Sequence, residues 1–193
     1  MIHSIATRKI TAFLFAMAWL TFVGQGTSHS QPPVEEGKIY WANPIKGIHR
    51  SSLDGTNVEQ LVKPELRYPA DIALDVLRGK MYWTDRWLGG GIYWSDLDGS
   101  NLKPFMDDDY RSIGVTNIAL DVDGGKIYWT SEVIGGDVLN GWVARANLDG
   151  SNSEAIFDGA APGDIALDLV RGKVYWTDLG FEGILRADLD GQN

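Results

Sequence analysis

Asp71, Asn117 and Asp164 occupy one register of this chain, each standing immediately before an Ile-Ala-Leu-Asp string. Carboxylate and amide oxygens that converge in this way suit Ca²⁺ or another hard cation. The same side chains also suit a plainer role, capping the entry of a strand. The run Asp107–Asp109 reads as a solvated corner, because the alternating ligands, Gly and distal Glu of an EF-hand loop are missing. His3 and His29 lie in or beside an N-terminal leader, which leaves His49 as the histidine of the main region. There is no Gly-x-Ser-x-Gly elbow and no Ser-His-Asp set. The absence of cysteine excludes thiolate and Cys-based zinc chemistry. A different chemistry, recognition by aromatic and guanidinium groups, is offered by Tyr68, Arg86, Trp87, Tyr110 and Phe181. These residues stand in turn-like, Gly-rich or charged stretches, and such residues on a rigid scaffold make interface hot spots. Their plainer role is to fold back over strand ends.

The elements that must position these residues are repeats. A four-residue aromatic motif occurs at Tyr40-Trp41-Ala42-Asn43, Tyr82-Trp83-Thr84-Asp85, Tyr128-Trp129-Thr130-Ser131 and Tyr175-Trp176-Thr177-Asp178, with Tyr-to-Tyr intervals of 42, 46 and 47 residues. Ile-Ala-Leu-Asp precedes it at Ile72–Asp75, Ile118–Asp121 and Ile165–Asp168. Leu-Asp-Gly-x-Asn follows at Leu53–Asn57, Leu97–Asn101, Leu148–Asn152 and Leu189–Asn193. Three motifs in fixed order at this period mark units that must stack on their neighbours to bury their apolar faces.

Each unit reads as four short strands. Ile-Ala-Leu is the first, and a Gly-Lys turn leads to the second, the consecutive apolar run ending in Tyr-Trp, which implies burial on both faces. The third runs into Leu-Asp-Gly, whose Gly supplies the positive φ of a tight hairpin. Val58–Val62, Leu102–Met106 and Glu154–Phe157 suggest the fourth. Helical periodicity is absent outside the leader, so the fold class is all-β, and four antiparallel strands per repeat are a β-propeller blade. The Tyr-Trp pairs then fill the gaps between blades.

Gly-Lys-Ile-Tyr-Trp-Thr-Ser at 125–131, flanked by Ile-Ala-Leu-Asp and Ala-Asn-Leu-Asp-Gly-Ser-Asn at 146–152, closely resembles the low-density lipoprotein receptor class B, or YWTD, repeat. The resemblance spans residues 37–193. It implies a six-bladed propeller that serves as an extracellular protein-binding platform without catalysis, so the expectation is a non-enzyme with a protein ligand and no cofactor. The motif's closing Asp is kept at Asp85 and Asp178 but replaced by Asn43 and Ser131. Fourteen strands are counted in the sequence, against about 24 for six blades. The expectation is therefore a partial arc of about three and a half blades, a fragment of a longer receptor-like protein or a chain that self-associates to complete the ring. Two alternatives stand beside the binding module. One is a Ca-dependent channel enzyme of the regucalcin or gluconolactonase type using Asp71, Asn117 and Asp164. The other is a carbohydrate-binding propeller using Trp87 and Trp94.

Residues 1–30 read as an export signal: Arg8 and Lys9, then an apolar run from Ile10 to Val23, then small polar residues that allow cleavage after Gly26 or Ser30. The apolar run is shorter than the roughly 20 residues of a membrane span. A linker covers 31–36, complete blades 70–106 and 116–158, and partial blades 37–63 and 164–193. Loss of Arg8 and Lys9 leaves 15 basic residues against 26 acidic ones, a net charge of −11. Nucleic acid is excluded as a partner, since that surface repels phosphates. The expected location is the periplasm or the exterior, with no membrane span once the signal is removed.

Overall fold

The computed structural model describes residues 11–12, 37–63, 68–86, 90–106, 114–132, 141–159 and 161–192. Among them every regular element is a β-strand. No helix among the described residues is long and apolar enough to cross a membrane. The strands form four antiparallel sheets that follow one another along the chain. The first blade consists of β1 (Thr11–Ala12), β2 (Lys38–Asn43), β3 (Gly47–Ser52) and β4 (Glu59–Val62). The second is β5 (Pro69–Asp75), β6 (Lys80–Asp85), β7 (Ile92–Asp96) and β8 (Lys103–Pro104). The third is β9 (Gly114–Asp121), β10 (Lys126–Glu132), β11 (Gly141–Asn147) and β12 (Glu154–Asp158). The fourth has three strands, β13 (Pro162–Asp168), β14 (Lys173–Asp178) and β15 (Gly183–Asp188). Successive blades touch, β2 on β5, β5 on β9 and β9 on β13. The molecule is an open arc of a β-propeller.

The aromatic motif lies on the second strand of each blade, and its two rings point in opposite directions because side chains alternate along a strand. Tyr82 packs forward onto the third blade with Ile118, Ile127 and Trp129, and Trp129 points back onto the second. Tyr40 and Trp83 repeat this between the first and second blades, as do Tyr128 and Trp176 between the third and fourth. Trp83 is 4% exposed and Trp129 0%. The rings therefore fill the seams between blades, as their apolar neighbours in the sequence imply.

The turns form as the sequence chemistry directs. Gly55, Gly99, Gly150 and Gly191 all have positive φ after the third strand of their blades. In the first three of these turns an Asp accepts from a hydroxyl two residues on: Asp54 from Thr56, Asp98 from Ser100 and Asp149 from Ser151. That bond holds each carboxylate below its ordinary value. The fourth strand of the second blade is shorter than the Leu102–Met106 run suggests, spanning Lys103–Pro104, although Phe105 N–H still donates to the Ile92 carbonyl at 2.8 Å.

Sequence reading left the first blade with three strands. The structure adds a further inner strand, since Thr11 and Ala12 pair with Tyr40 and Ile39 on β2. An unpaired inner edge recruits an extended segment, and an apolar stretch read for its composition gives no hint of such pairing.

Candidate functional site

The rim of the arc where β5 begins and β6 ends carries most of the described candidates. Pro69 pairs with Asp85 across that end, and two hydrogen bonds carry the chain beyond it. The Tyr68 N–H donates to Asp85 Oδ1 at 3.3 Å, and the Arg86 N–H donates to the Tyr68 carbonyl at 3.1 Å. Tyr68 and Arg86, distant in sequence, are thus fixed side by side. Arg86 then reaches across to the third blade, where its Nη2 meets Glu132 Oε1 at 2.8 Å. Tyr68 is 47% exposed and Phe181 61%.

The fourth blade repeats the construction. Asp178 Oδ1 accepts from the N–H groups of Gly180 at 2.9 Å and Phe181 at 3.1 Å, and from Ala161 at 3.4 Å. The Leu179 N–H donates to the Ala161 carbonyl. Phe181 is held by this turn and its ring lies 6.4 Å from that of Phe157. The structure places Tyr68 and Arg86 together and Phe181 two blades along the arc. Trp87 and Tyr110 lie outside the described residues. Trp94, the other candidate for sugar stacking, is on β7, with the Lys80 ammonium 4.2 Å over its ring.

Asp85 and Asp178 bind amides of their own blade, tying the segment that enters the blade to the rim turn. Asn43 performs the same service through Oδ1, which accepts from the N–H groups of Ile45 and Lys46, both at 2.9 Å. Ser131 donates to the Trp142 carbonyl at 3.3 Å. Blade-to-blade bonds come instead from residues that sequence reading singled out for other reasons or passed over. Thr84 Oγ1 donates to the Thr116 carbonyl at 3.0 Å, and Thr130 Oγ1 to the Gly163 carbonyl at 2.6 Å. The phenols of Tyr82 and Tyr128 donate to the carbonyls of Leu148 and Leu189. The sequence signal for this was present, since Thr follows Tyr-Trp in three of the four copies.

The candidate cation ligands sit where the repeats predict, at the inner strands. Asp71 is buried, and its two oxygens accept from two main-chain amides: Oδ1 from Ile72 and Oδ2 from Ile118 of the next blade, each at 3.0 Å. Asp164 is exposed, and its Oδ1 accepts from Ile165 at 2.9 Å. Asn117 is half-buried and pairs with Thr130 in the ladder. Among the described residues no group of three or more His, Cys, Asp or Glu is gathered as a metal cage.

Comparison with known proteins adds the following. No protein-family model matches the chain. A nidogen of Drosophila melanogaster is 33% identical over 51 residues, which is 26% of this chain and 4% of that protein. A chain in the crystal structure of a nidogen/laminin complex superposes with a TM-score of 0.64 at 26% identity, over 75% of this chain and 53% of that one. A gluconolactonase from Xanthomonas campestris superposes with a TM-score of 0.64 at 18% identity, over 79% of this chain and 55% of that one. The chain thus spans only part of each protein it matches. The gluconolactonase corrects the expectation of a non-enzyme. This architecture carries a catalyst as closely as it carries nidogen, and missing catalytic motifs in a sequence do not decide between them. What these matches establish is the β-propeller fold.

Proposed function

We propose that this chain is an exported propeller segment of the YWTD type that binds a protein ligand through Tyr68, Arg86, Trp87, Tyr110 and Phe181. The observation that carries this reading is the pair of exposed rings, Tyr68 and Phe181, each fixed by hydrogen bonds of the rim turns to an Asp that closes a strand. Aromatic side chains on a main chain fixed before contact lose less entropy on binding than those on a loose one, which favours a hot spot. The likeness to nidogen, solved in complex with laminin, supports a protein as the ligand class. Export rests on the order of charged, apolar and small residues in 1–30; cleavage of that segment would take β1 from the first blade and leave it the three strands β2, β3 and β4.

The test is site-directed photo-crosslinking in the cells that make the protein, with a benzophenone amino acid replacing Tyr68 or Phe181. Leu77, 74% exposed in the turn between β5 and β6 at the opposite end of the strands, is the control. Discrete protein adducts from positions 68 and 181 and none from 77 are expected. Equal adducts from both rims, or none from 68 and 181, would reject the rim as the binding face.

A second reading, association of two copies, is favoured by the forward face of the fourth blade. Ile184 stands where Ile48, Ile92 and Val143 stand in the other blades; those are 0%, 3% and 0% exposed, whereas Ile184 is 73%. A second molecule seated there as one blade seats on the next would cover it.

A further inference from the structure

Three positions of the repeat bring a charged side chain to the rim, and each of them changes sign along the arc. The first precedes the glycine that opens the third strand. Gly47 pairs with Asn43 and Gly183 with Asp178, both closing residues of the aromatic motif, so Lys46 of the first blade and Glu182 of the fourth hold the same position. The second position follows the fourth strand. Val62 is opposite Ile48 and Phe157 is opposite Val143, so Lys63 of the first blade corresponds to Asp158 of the third. The third position follows the aromatic motif and holds Arg86 in the second blade and Glu132 in the third. Each pair has its cation in the first or second blade and its anion in the third or fourth. The other described residues at these positions, Pro44, Gly90 and Leu179, are uncharged. Asp107, which follows the fourth strand of the second blade, lies outside the described residues.

All six charges belong to one rim. Lys63 lines a small cleft there together with Gly47, Pro69 and Asp85. Glu132 pairs with Gly141, whose carbonyl accepts from the Gly159 N–H at 3.1 Å, and this places Asp158 beside Glu132. Arg86 and Glu132 meet where the second blade adjoins the third, Nη2 to Oε1 at 2.8 Å, and offset each other. What remains is Lys46 and Lys63 on one side of that bridge and Asp158 and Glu182 on the other, all four exposed. Asp71 and Asp85 of the second blade are buried against main-chain amides and present no carboxylate to a partner. The chain as a whole has 17 basic and 26 acidic side chains, so the cationic half of the rim runs against its composition.

We propose that this rim selects a protein segment whose charges fall in two blocks, acidic over the first and second blades and basic over the third and fourth. This selectivity rests on Tyr68 and Phe181 being the binding face. Tyr68 stands in the cationic half and Phe181, next to Glu182, in the anionic half, so the rings supply contact area and the charges supply direction. Complementary fields orient a partner and reject wrong ones more than they add affinity. A segment of one sign throughout is attracted by one half of the rim and repelled by the other.

The probe is a rhodamine-labelled synthetic peptide of four Glu, a Gly-Ser-Trp-Gly-Ser centre and four Lys, titrated with the full chain and read by anisotropy at low salt. Its control has the same composition with Glu and Lys alternating on both sides of the centre. The block peptide should bind about tenfold more tightly than the alternating one. That preference should disappear in about 1 M salt, where the Debye length is about 3 Å. Lys46→Glu with Lys63→Glu leaves the rim acidic from end to end and should cancel the preference. Adding Asp158→Lys and Glu182→Lys reverses the rim and should restore it, because the peptide then docks in the opposite direction, and recovery shows that the variants are folded. Absence of binding up to roughly 1 mM, equal affinity for the two peptides, a preference that survives Lys46→Glu with Lys63→Glu, or no recovery in the reversed variant would each overturn the charge pattern. Protein adducts from positions 68 and 181 in the face of such a result would leave the binding face standing, whereas their loss rejects the face itself.

Discussion

At the scale of single residues, one side-chain type does different work according to what lies beyond it. Thr130 and Thr177 occupy equivalent positions on β10 and β14. Thr130 is buried and its hydroxyl is committed to the Gly163 carbonyl, whereas Thr177 is exposed and accepts from the Asp164 N–H at 2.9 Å. Thr130→Val leaves a half-buried carbonyl without its donor and should cost about 1 kcal/mol or more. Thr177→Val should cost less, because water replaces the hydroxyl; urea unfolding midpoints of the two variants check this ordering. The phenols supply a pH signature. Burial raises Tyr82 and Tyr128 above the ordinary value of 10.0. The folded state therefore holds these protons after the unfolded chain has released them. Stability is full below the unfolded value and falls as pH rises above it. Thermal melts across that range should show a steeper decline for wild type than for Tyr82→Phe.

At the scale of the element, the turn between β2 and β3 has the least room. Gly47 has φ +83°, and a Cβ there would lie 1.9 Å from the Val62 carbonyl oxygen on β4. Gly47→Ala combines a left-handed backbone with a main-chain collision and should destabilise by about 2–4 kcal/mol. Gly79, with φ +66°, has nothing within 4 Å of the same added atom. Gly79→Ala should therefore pay only the backbone term, about 1–2 kcal/mol. Comparison of the two by chemical denaturation separates conformational cost from collision.

At the scale of the whole molecule, each blade offers a forward face to the next, and among the described residues three such faces are stitched while Ile184 on the fourth is exposed. Arg50 Nη1 donates to the Leu97 carbonyl at 3.1 Å, Arg78 Nη1 to the Val122 carbonyl at 3.1 Å, and Arg145 Nη1 to the Leu189 carbonyl. Exposed apolar surface of this type is removed from water by association. Light scattering should find the chain associated in solution, and Ile184→Glu should shift it towards monomer. A monomeric wild type would reject self-association without touching the fold.

The sequence by itself determined the repeat, the strand order within blades and the burial of the second strand. These follow from local rules: a two-residue alternation, turn chemistry at Asp-Gly, and aromatic pairs that have to leave water. The strand at Thr11–Ala12 was not legible, nor was the reach of Asp71 to the Ile118 amide of the next blade, nor the juxtaposition of Tyr68 with Arg86. Each depends on which backbone group lies opposite in space, and periodicity carries no such information. The tertiary structure alone decided which of the equivalent positions are buried among the described residues, because all four copies carry the same sequence signature. Only the presence of a neighbour distinguishes Ile184 from Ile48.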